Sequence, residues 1–320
     1  MNTLSRSELY AALGELDAAV EADPQVDPFC TRSDWQLSFH EAFHPERELA
    51  AARAGGAFAL LTAADGVLQP LEAMWGFAAA LVGADSPALL LELCEARARE
   101  RARELLYLSG LPPRSARTRE LIVRLESRYA LGVGSVTERF LARLDQRDGY
   151  LSRRSAKFRT GLRAAERRVR AAGVTFEMIA PRSTEAALAA YARVLAVERR
   201  SWKAATDNGV DRGPMCAFYG RMFPRLAERG ALRVLFALRD GADVGYLSGG
   251  LAGSGFRGLQ FSFDDRLRAL GLGNVLQLEA ITRLCDAGIA SYDLGSGSAY
   301  KARWAEERVL TLALVARPRG

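Results

Sequence analysis

A glycine-bearing turn between a predicted strand and a predicted helix constrains the fold of this chain most. Within residues 257–304, an apolar run ends at Asp264 and Asp265, the turn opens a helix, and a second apolar run covers 289–294. Strand, turn, helix and strand in this order are typical of a ligand site at the carboxyl edge of an α/β sheet. The polar segment 295–304, GSGSAYKARW, follows at once, so we expect the functional groups to gather here.

Length and composition indicate a globular protein with more than one core. At 320 residues the chain exceeds the usual size of a single domain, and 49% apolar and 26% charged residues are ordinary values. The four cysteines are far apart, which favours reduced thiols and a cytoplasmic location. The N-terminal segment has acids every few residues and no apolar block, so we expect neither a signal peptide nor a membrane span.

Strands and helices alternate, most clearly in the second half. The first half predicts helices at 4–22, 35–43 and 85–103 and a strand at 57–63. The second half predicts strands at 174–180, 231–238, 243–251, 256–263, 289–294 and 309–316, with helices at 184–202, 214–230 and 274–287. Asn274 is the N-cap candidate of the last helix. We therefore predict an α/β (α+β) fold in which mixed sheets are flanked by helices.

A basic segment, residues 153–170, carries eight Lys or Arg against Glu166 alone. An apolar stripe at helical spacing predicts that this segment is a helix; its members are Phe158, Leu162, Ala165 and Val169. The helix could receive the phosphates of a coenzyme or of a tRNA, or it could be a solvated face. The residues leave these alternatives open.

The glycine turn, which we define as residues 268–274, is a candidate phosphate site. Its backbone N–H groups and the helix dipole can hold a pyrophosphate, and Arg268 adds charge. The alternative is a plain strand-to-helix connection. The candidate binding residues are Arg268, Leu270, Gly271, Leu272, Gly273 and Asn274.

Catalytic candidates follow the last strand of this region and end the long helix at 184–202. Asp293 and Tyr300 can exchange protons, and Lys301 can stabilise an oxyanion, although a capped loop with a surface lysine is the alternative. Glu198 shares a helix face with Trp202 and can act as a base, or it can form an ion pair with Arg163 or Lys203. The expected substrate contacts are Trp202, Lys203, Asp264 and Ser296.

The two histidines of the chain form an HExxH pattern, His40 to His44. A zinc hydrolase would need this pattern inside one helix and a third ligand, for which Glu72 or Glu92 could be proposed. Pro45 follows immediately and disfavours helical geometry at His44. A zinc hydrolase is therefore a remote alternative.

The motifs together resemble the GNAT acyltransferase fold. More specifically, the chain resembles CelD-like, BioF-type acetyltransferases related to the FemABX peptidyltransferases. The matching segments are 151–169, ERRSWK (198–203), FDDRLRALGLGNVL (263–276) and YDLGSGSAYKARW (292–304). The first half matches only loosely, through DPFCTRSDW and PLEAMWGFAAALVGADSP.

This resemblance implies tandem GNAT-like half-domains after an N-terminal helix at 1–25. Residues 26–147 would be a degenerate acceptor half and 148–320 the half with the acyl-donor site. The glycine turn would bind the pyrophosphate of acyl-CoA, and Lys301 would lie at the donor end. The implied reaction moves an acyl group to a small-molecule or peptidyl amine without a metal. The alternative is an aminoacyl-tRNA-dependent, peptide-bond-forming transferase that binds tRNA through the basic helix 153–170.

Overall fold

The computed structural model of the protein describes residues 1–205 and 209–319. The chain forms two compact units, one from residues 1–138 and the segment from residue 310, the other from residues 139–309. Each unit has a mixed sheet flanked by helices, which confirms the predicted fold class. The half-domain bounds that the resemblance implies stay a prediction.

The first unit contains the helices and strands of the N-terminal part of the chain. Its helices are α1 (Arg6–Ala11), α2 (Leu13–Ala22), α3 (Ser33–Phe43), α4 (Ser86–Ala98) and α5 (Ala116–Leu125). Its strands are β1 (Asn2–Leu4), β2 (Glu48–Ala54), β3 (Ala57–Ala64), β4 (Val67–Pro70), β5 (Leu81–Val82), β6 (Leu105–Leu111) and the first part of β7 (Tyr129–Arg143). Strands β1, β2, β3, β4 and β6 are neighbours in that order, and β4 and β6 are parallel.

The second unit contains the remaining elements. Its helices are α6 (Arg147–Ser152), α7 (Ala156–Ala171), α8 (Thr184–Glu198), α9 (Gly213–Glu228), α10 (Leu272–Asp286) and α11 (Ala299–Ala302), with short 3₁₀ segments at Trp202–Ala205 and Asp265–Leu270. Its strands are the last part of β7, β8 (Thr175–Ile179), β9 (Leu232–Arg239), β10 (Ala242–Ala252), β11 (Gly255–Phe263) and β12 (Ser291–Ser296). Strand β13 (Glu307–Pro318) begins in this unit, and its residues from 310 belong to the first unit. The strand order is β7, β12, β11, β10, β9, β8.

The predicted order of elements in the second half is confirmed, but two boundaries are wrong. The long helix predicted at 184–202 ends at Glu198, and Trp202 begins a separate 3₁₀ segment, so these two residues do not share a helix face. The second boundary is the start of α10. Helix α10 begins at Leu272, and its N-cap is Gly271 instead of Asn274. Gly271 has a left-handed φ of 78°, which a residue without a Cβ adopts easily. The N–H of Asn274 already donates to the carbonyl of Gly271 at 3.1 Å, so Asn274 lies inside the first turn.

Helices α7 and α10 each contribute a buried face to the core of the second unit. Helix α7 begins at Ser155, whose hydroxyl accepts the N–H of Phe158, and its predicted apolar stripe is confirmed. Helix α10 packs against α7 and carries a buried face that includes Leu276, which is 0% exposed. The glycine turn at the start of α10 is therefore fixed by a packed helix.

The HExxH pattern lies at the end of α3. The helix ends at Phe43, and His44 has φ −145° and ψ 51°, which confirms the predicted loss of helical geometry. Across residues 1–205 and 209–319, no three His, Cys, Asp or Glu side chains are grouped so as to hold a metal ion. In the same residues, no helix is both long and apolar enough to cross a bilayer.

Leu276→Ala should lower the free energy of unfolding by about 2–5 kcal/mol, because it removes a buried side chain and leaves a cavity in the core. Leu188 is 47% exposed on α8, so Leu188→Ala is the matched control and should change the stability by about 0.5 kcal/mol or less. Urea unfolding followed by circular dichroism measures both. Equal losses in the two variants would contradict the burial of α10.

Candidate active site

Strands β11 and β12 separate early and leave a cavity between them. Their parallel pairing covers three residue pairs and stops at Arg257 and Asp293, although both strands continue. Against β7, the register of β12 shifts between Asp293 and Ser296, which is the signature of a β-bulge. Gly295 lies in this bulge with φ 78°. The bulge therefore turns β12 away from β11.

The cavity has a volume of about 160 Å³. Its lining comes from β10, β11, β12, α10, α11 and the segment after α8. The lining residues are Lys203, Leu247, Ser248, Gly258, Leu259, Gln260, Phe261, Gln277, Tyr292, Leu294, Tyr300 and Lys301. We call this space the lysine cavity. Its described lining contains two lysines and no carboxylate.

Lys301 is held at the cavity by the short helix α11. Ser298 caps this helix, and its hydroxyl accepts the N–H of Lys301 at 3.3 Å. Burial and the nearby Arg257 guanidinium lower the pKa of Lys301 to about 8. The amine therefore changes charge within the pH range in which enzymes work.

Lys203 enters the cavity from the segment after α8. Its Nζ donates to Gln260 Oε1 at 2.7 Å and lies 3.6 Å from Glu198 Oε1. Glu198 is 0% exposed, accepts the hydroxyl of Tyr246 at 3.0 Å and accepts the N–H of Val210 at 3.3 Å. Of the two ion pairs left open by the sequence, the structure thus forms Glu198–Lys203. Burial lowers the pKa of Lys203, and the Glu198 carboxylate opposes that shift.

Asp293 does not line the cavity but lies behind Lys301. Its carboxylate forms ion pairs with Arg139 and with Arg257, the latter at 2.8 Å, and it also accepts the N–H of Gly295 at 2.8 Å. Asp293 therefore fixes two guanidinium groups and the bulge of β12. One carboxylate therefore links strands β7, β11 and β12, which come from distant parts of the sequence.

Tyr300 lies between two aromatic side chains. Its ring stacks on Phe261 at a centroid distance of 6.0 Å and lies 6.1 Å from Trp304. Burial raises the pKa of Tyr300, so its hydroxyl is neutral at ordinary pH and can donate a proton. Tyr300 and Lys301 are thus brought together at one cavity.

The glycine turn packs against the basic helix α7. A Cβ on Gly271 would lie 3.2 Å from the Cβ of Ala165 and 3.4 Å from Nη2 of Arg168. Arg268 pairs with Asp265 at 2.7 Å. The Arg168 guanidinium therefore lies beside the turn, which suits an anionic ligand at the start of α10, whereas the Arg268 guanidinium is held by Asp265.

The remaining residues of the turn differ in exposure. Leu272 and Gly273 are buried, and a Cβ on Gly273 would lie 2.7 Å from Cε1 of Phe263. Leu270 and Asn274 are half-buried. Close packing on Phe263 is thus one reason for a glycine at 273.

The predicted substrate contacts are dispersed around the cavity. Lys203 lines it, whereas Trp202 is 37% exposed and Ser296 is exposed at the end of β12. Asp264 is buried and accepts both the backbone and the side-chain N–H groups of Arg266. Asp264 therefore holds the start of the 3₁₀ segment before the turn.

Sequence reasoning missed part of the site. Lysine is rare in this chain: three residues among 44 Lys and Arg, and two of the three line the lysine cavity. That rarity was a usable signal. No sequence pattern indicated Gln277, Arg257 or Arg139, whose roles depend on contacts between distant strands.

Lys301 should titrate near pH 8, well below the value of about 10.4 for an ordinary lysine, because burial disfavours the ammonium form. Reductive methylation with ¹³C-formaldehyde labels the three lysines and the N-terminal amine for NMR. The signal lost in Lys301→Arg identifies Lys301, and Lys157→Arg is the matched control. A midpoint above pH 10 would contradict the buried setting of this amine.

Comparisons with known proteins identify a matching family model and similar solved structures. Residues 156–304 match the family model described as an acetyltransferase (GNAT) domain. The structure is similar to that of FemX, with a TM-score of 0.67 and 12% identity over 98% of this chain and 97% of that chain. It is also similar to L-PGS from Bacillus licheniformis, with a TM-score of 0.60 and 12% identity over 96% and 91% of the two chains.

A further similar structure is a conserved protein of unknown function from Bacteroides thetaiotaomicron VPI-5482, with a TM-score of 0.66 and 12% identity over 96% and 97% of the two chains. No curated protein matches the sequence significantly. At these identities the solved structures show the fold alone. The matched segment contains the glycine turn, the lysine cavity and α11. Residues 156–304 thus match the acetyltransferase (GNAT) domain model, and the fold of the chain is similar to that of FemX.

Proposed function

We propose that this protein is an N-acyltransferase that moves an acyl group from acyl-CoA to an amine. The observation that carries the proposal is the lysine cavity, which lies in the GNAT domain where β11 and β12 separate. Lys301, Tyr300 and Lys203 meet there. They supply a cation, a neutral proton donor and a second titratable amine, which are groups that acyl transfer uses.

The glycine turn is the proposed site for the pyrophosphate of coenzyme A. Arg168 lies beside it, and the N-terminal end of α10 adds a favourable dipole. Arg268, paired with Asp265, supplies a further positive group in the turn itself. Gln277 lines the cavity five residues after Leu272, so helix geometry separates the two levels by about 8 Å along the axis. The pantetheine arm of coenzyme A is longer than that distance and can join the two sites.

The reaction is a direct transfer. The amine nitrogen attacks the thioester carbonyl, the C–S bond breaks as the amide C–N bond forms, and the ammonium of Lys301 stabilises the oxyanion. Tyr300 protonates the departing thiolate. The neutral form of Lys203, which burial favours and the adjacent Glu198 carboxylate opposes, takes the proton of the attacking amine.

Glu198 and Asp293 act through the basic side chains that they hold. Glu198 is buried behind Lys203, and Asp293 is clamped between Arg139 and Arg257. We therefore assign them positioning roles. The acceptor is an amine on a small molecule or a peptide, and the cytoplasmic location stays a prediction.

The second candidate is an aminoacyl-tRNA-dependent transferase. The fold shared with FemX and with L-PGS, together with the exposed basic residues of α7, favours it. The lysine cavity opposes it, because an aminoacyl group carries an ammonium and the described lining offers no carboxylate to receive one. The zinc-hydrolase alternative has no ligand group among the described residues.

Lys301→Met should lower turnover by about 10²–10³-fold, because it removes a charged group from the developing oxyanion. In the wild type, turnover should fall as the pH rises through about 8, since the ammonium is lost above its pKa. Lys301→Arg should remove that alkaline fall, because arginine stays protonated. Thiol release from acyl-CoA with a panel of amines measures these profiles. An alkaline fall that persists in Lys301→Arg would contradict the assignment.

Coenzyme A should raise the melting temperature, with about 2.7 kcal/mol of added stability at one hundred times its Kd. Arg168→Gln should weaken this effect, because Arg168 lies at the glycine turn. Arg163 is exposed on the same helix, so Arg163→Gln is the matched control and should retain the shift. Absence of any shift with coenzyme A, together with salt-sensitive tRNA binding, would favour the second candidate.

A further inference from the structure

One side chain at the lysine cavity has no role in the proposed transfer. Gln277 lies in α10, is 1% exposed and borders the cavity. Its Nε2 is buried and makes no hydrogen bond in the described part of the chain, while its Oε1 accepts the hydroxyl of Tyr292 at 3.5 Å. Buried amide donors are normally paired, so a donor without a partner beside a cavity indicates an acceptor atom on a ligand.

The cavity is larger than an acetyl group requires. Its volume is about 160 Å³, and a protein cavity of about 150 Å³ holds benzene, a molecule of six heavy atoms. An acetyl group has three heavy atoms. A succinyl group has seven, counting both carbonyl carbons and their oxygens. The volume therefore leaves room beyond an acetyl group for a longer acyl chain.

The charges at the cavity indicate which polar end fits. Lys203 and Lys301 line it, and the described lining residues include no Asp or Glu. Glu198 and Asp293, the nearby acids, are each paired with basic side chains. A group with a negative charge and acceptor oxygens gains from these surroundings, whereas a cationic group loses hydration without compensation.

We propose that Gln277 recognises a terminal carboxylate on the transferred acyl group, so that the preferred donors are thioesters of dicarboxylic acids, such as succinyl-CoA or glutaryl-CoA. This inference rests on the proposed function and specifies its donor. The carboxylate takes no part in bond making: the C–S bond of the thioester breaks, the C–N bond forms, and the distal carboxylate stays bound to Gln277 Nε2. Gln277 is thus a specificity-determining residue.

The experiment measures donor affinity, which needs no knowledge of the acceptor. Isothermal titration gives the Kd of coenzyme A, butyryl-CoA, succinyl-CoA and glutaryl-CoA for the full chain. Butyryl-CoA matches succinyl-CoA in chain length but has a methyl end. The expected result is binding of succinyl-CoA or glutaryl-CoA about ten times tighter than butyryl-CoA, as one hydrogen bond to a charged group provides.

Two variants test the role of the amide. Gln277→Leu keeps the approximate size but removes the donor, so the ratio of the butyryl to the succinyl Kd should fall to about one. Thr282 lies later on α10 and outside the cavity lining, so Thr282→Val replaces a polar group on the same helix and should keep the ratio. Thermal unfolding of both variants checks that they are folded; if Gln277→Leu does not fold, Gln277→Met takes its place.

The outcomes separate this inference from the proposed function. Equal affinities for butyryl-CoA and succinyl-CoA in the wild type would overturn the carboxylate subsite, while binding of either would leave the acyl-CoA proposal intact. Preference for succinyl-CoA that persists in Gln277→Leu would overturn the role of Gln277. Failure to bind coenzyme A or any thioester would overturn the proposed function itself.

Discussion

The candidate site depends on one constraint, the bulge that turns β12 away from β11. Neighbouring strands tend to keep pairing because unpaired buried backbone groups are costly. Here Gly295 adopts a left-handed φ of 78°, and its N–H is bound by the carboxylate of Asp293. The same carboxylate anchors Arg139 on β7 and Arg257 on β11. One half-buried acid therefore joins three strands at the level where the cavity opens.

The two amines of the cavity show why lysine, and not arginine, is placed there. The chain uses arginine for nearly all of its basic positions, and an arginine side chain keeps its charge at any accessible pH. A buried lysine, in contrast, changes charge near neutral pH. Lys301 and Lys203 differ in their neighbours, Arg257 for the former and Glu198 for the latter. Arg257 adds to the lowering of the Lys301 pKa by burial, whereas the Glu198 carboxylate opposes the lowering of the Lys203 pKa. The two amines therefore titrate in different electrostatic surroundings within one cavity.

Local patterns predicted the elements, whereas contacts between distant segments escaped them. The periodic stripe of α7 and the alternation around 231–263 follow from short-range spacing, so both could be predicted. Strand β2 was missed because its alanine-rich sequence has weak strand propensity, and full pairing with β3 overrides that preference. The clamp on Asp293 joins residues 154 positions apart, and no local pattern encodes such a pairing.

The basic helix contains arginines whose surroundings in the structure differ, although the sequence alone does not distinguish them. From the sequence alone, residues 153–170 could bind the phosphates of a coenzyme or of a tRNA, or they could form a solvated helix face. In the structure its basic residues have different surroundings: Arg154 is buried against Tyr150 and pairs with Glu306, whereas Arg163 and Arg168 are exposed, and Arg168 lies at the glycine turn. Salt screens interactions over more than about 10 Å, so a guanidinium beside the turn acts on an anion bound there more strongly than distant charges do. Among these residues, Arg168 is thus the one whose position favours a phosphate ligand, and the net charge of the helix adds little.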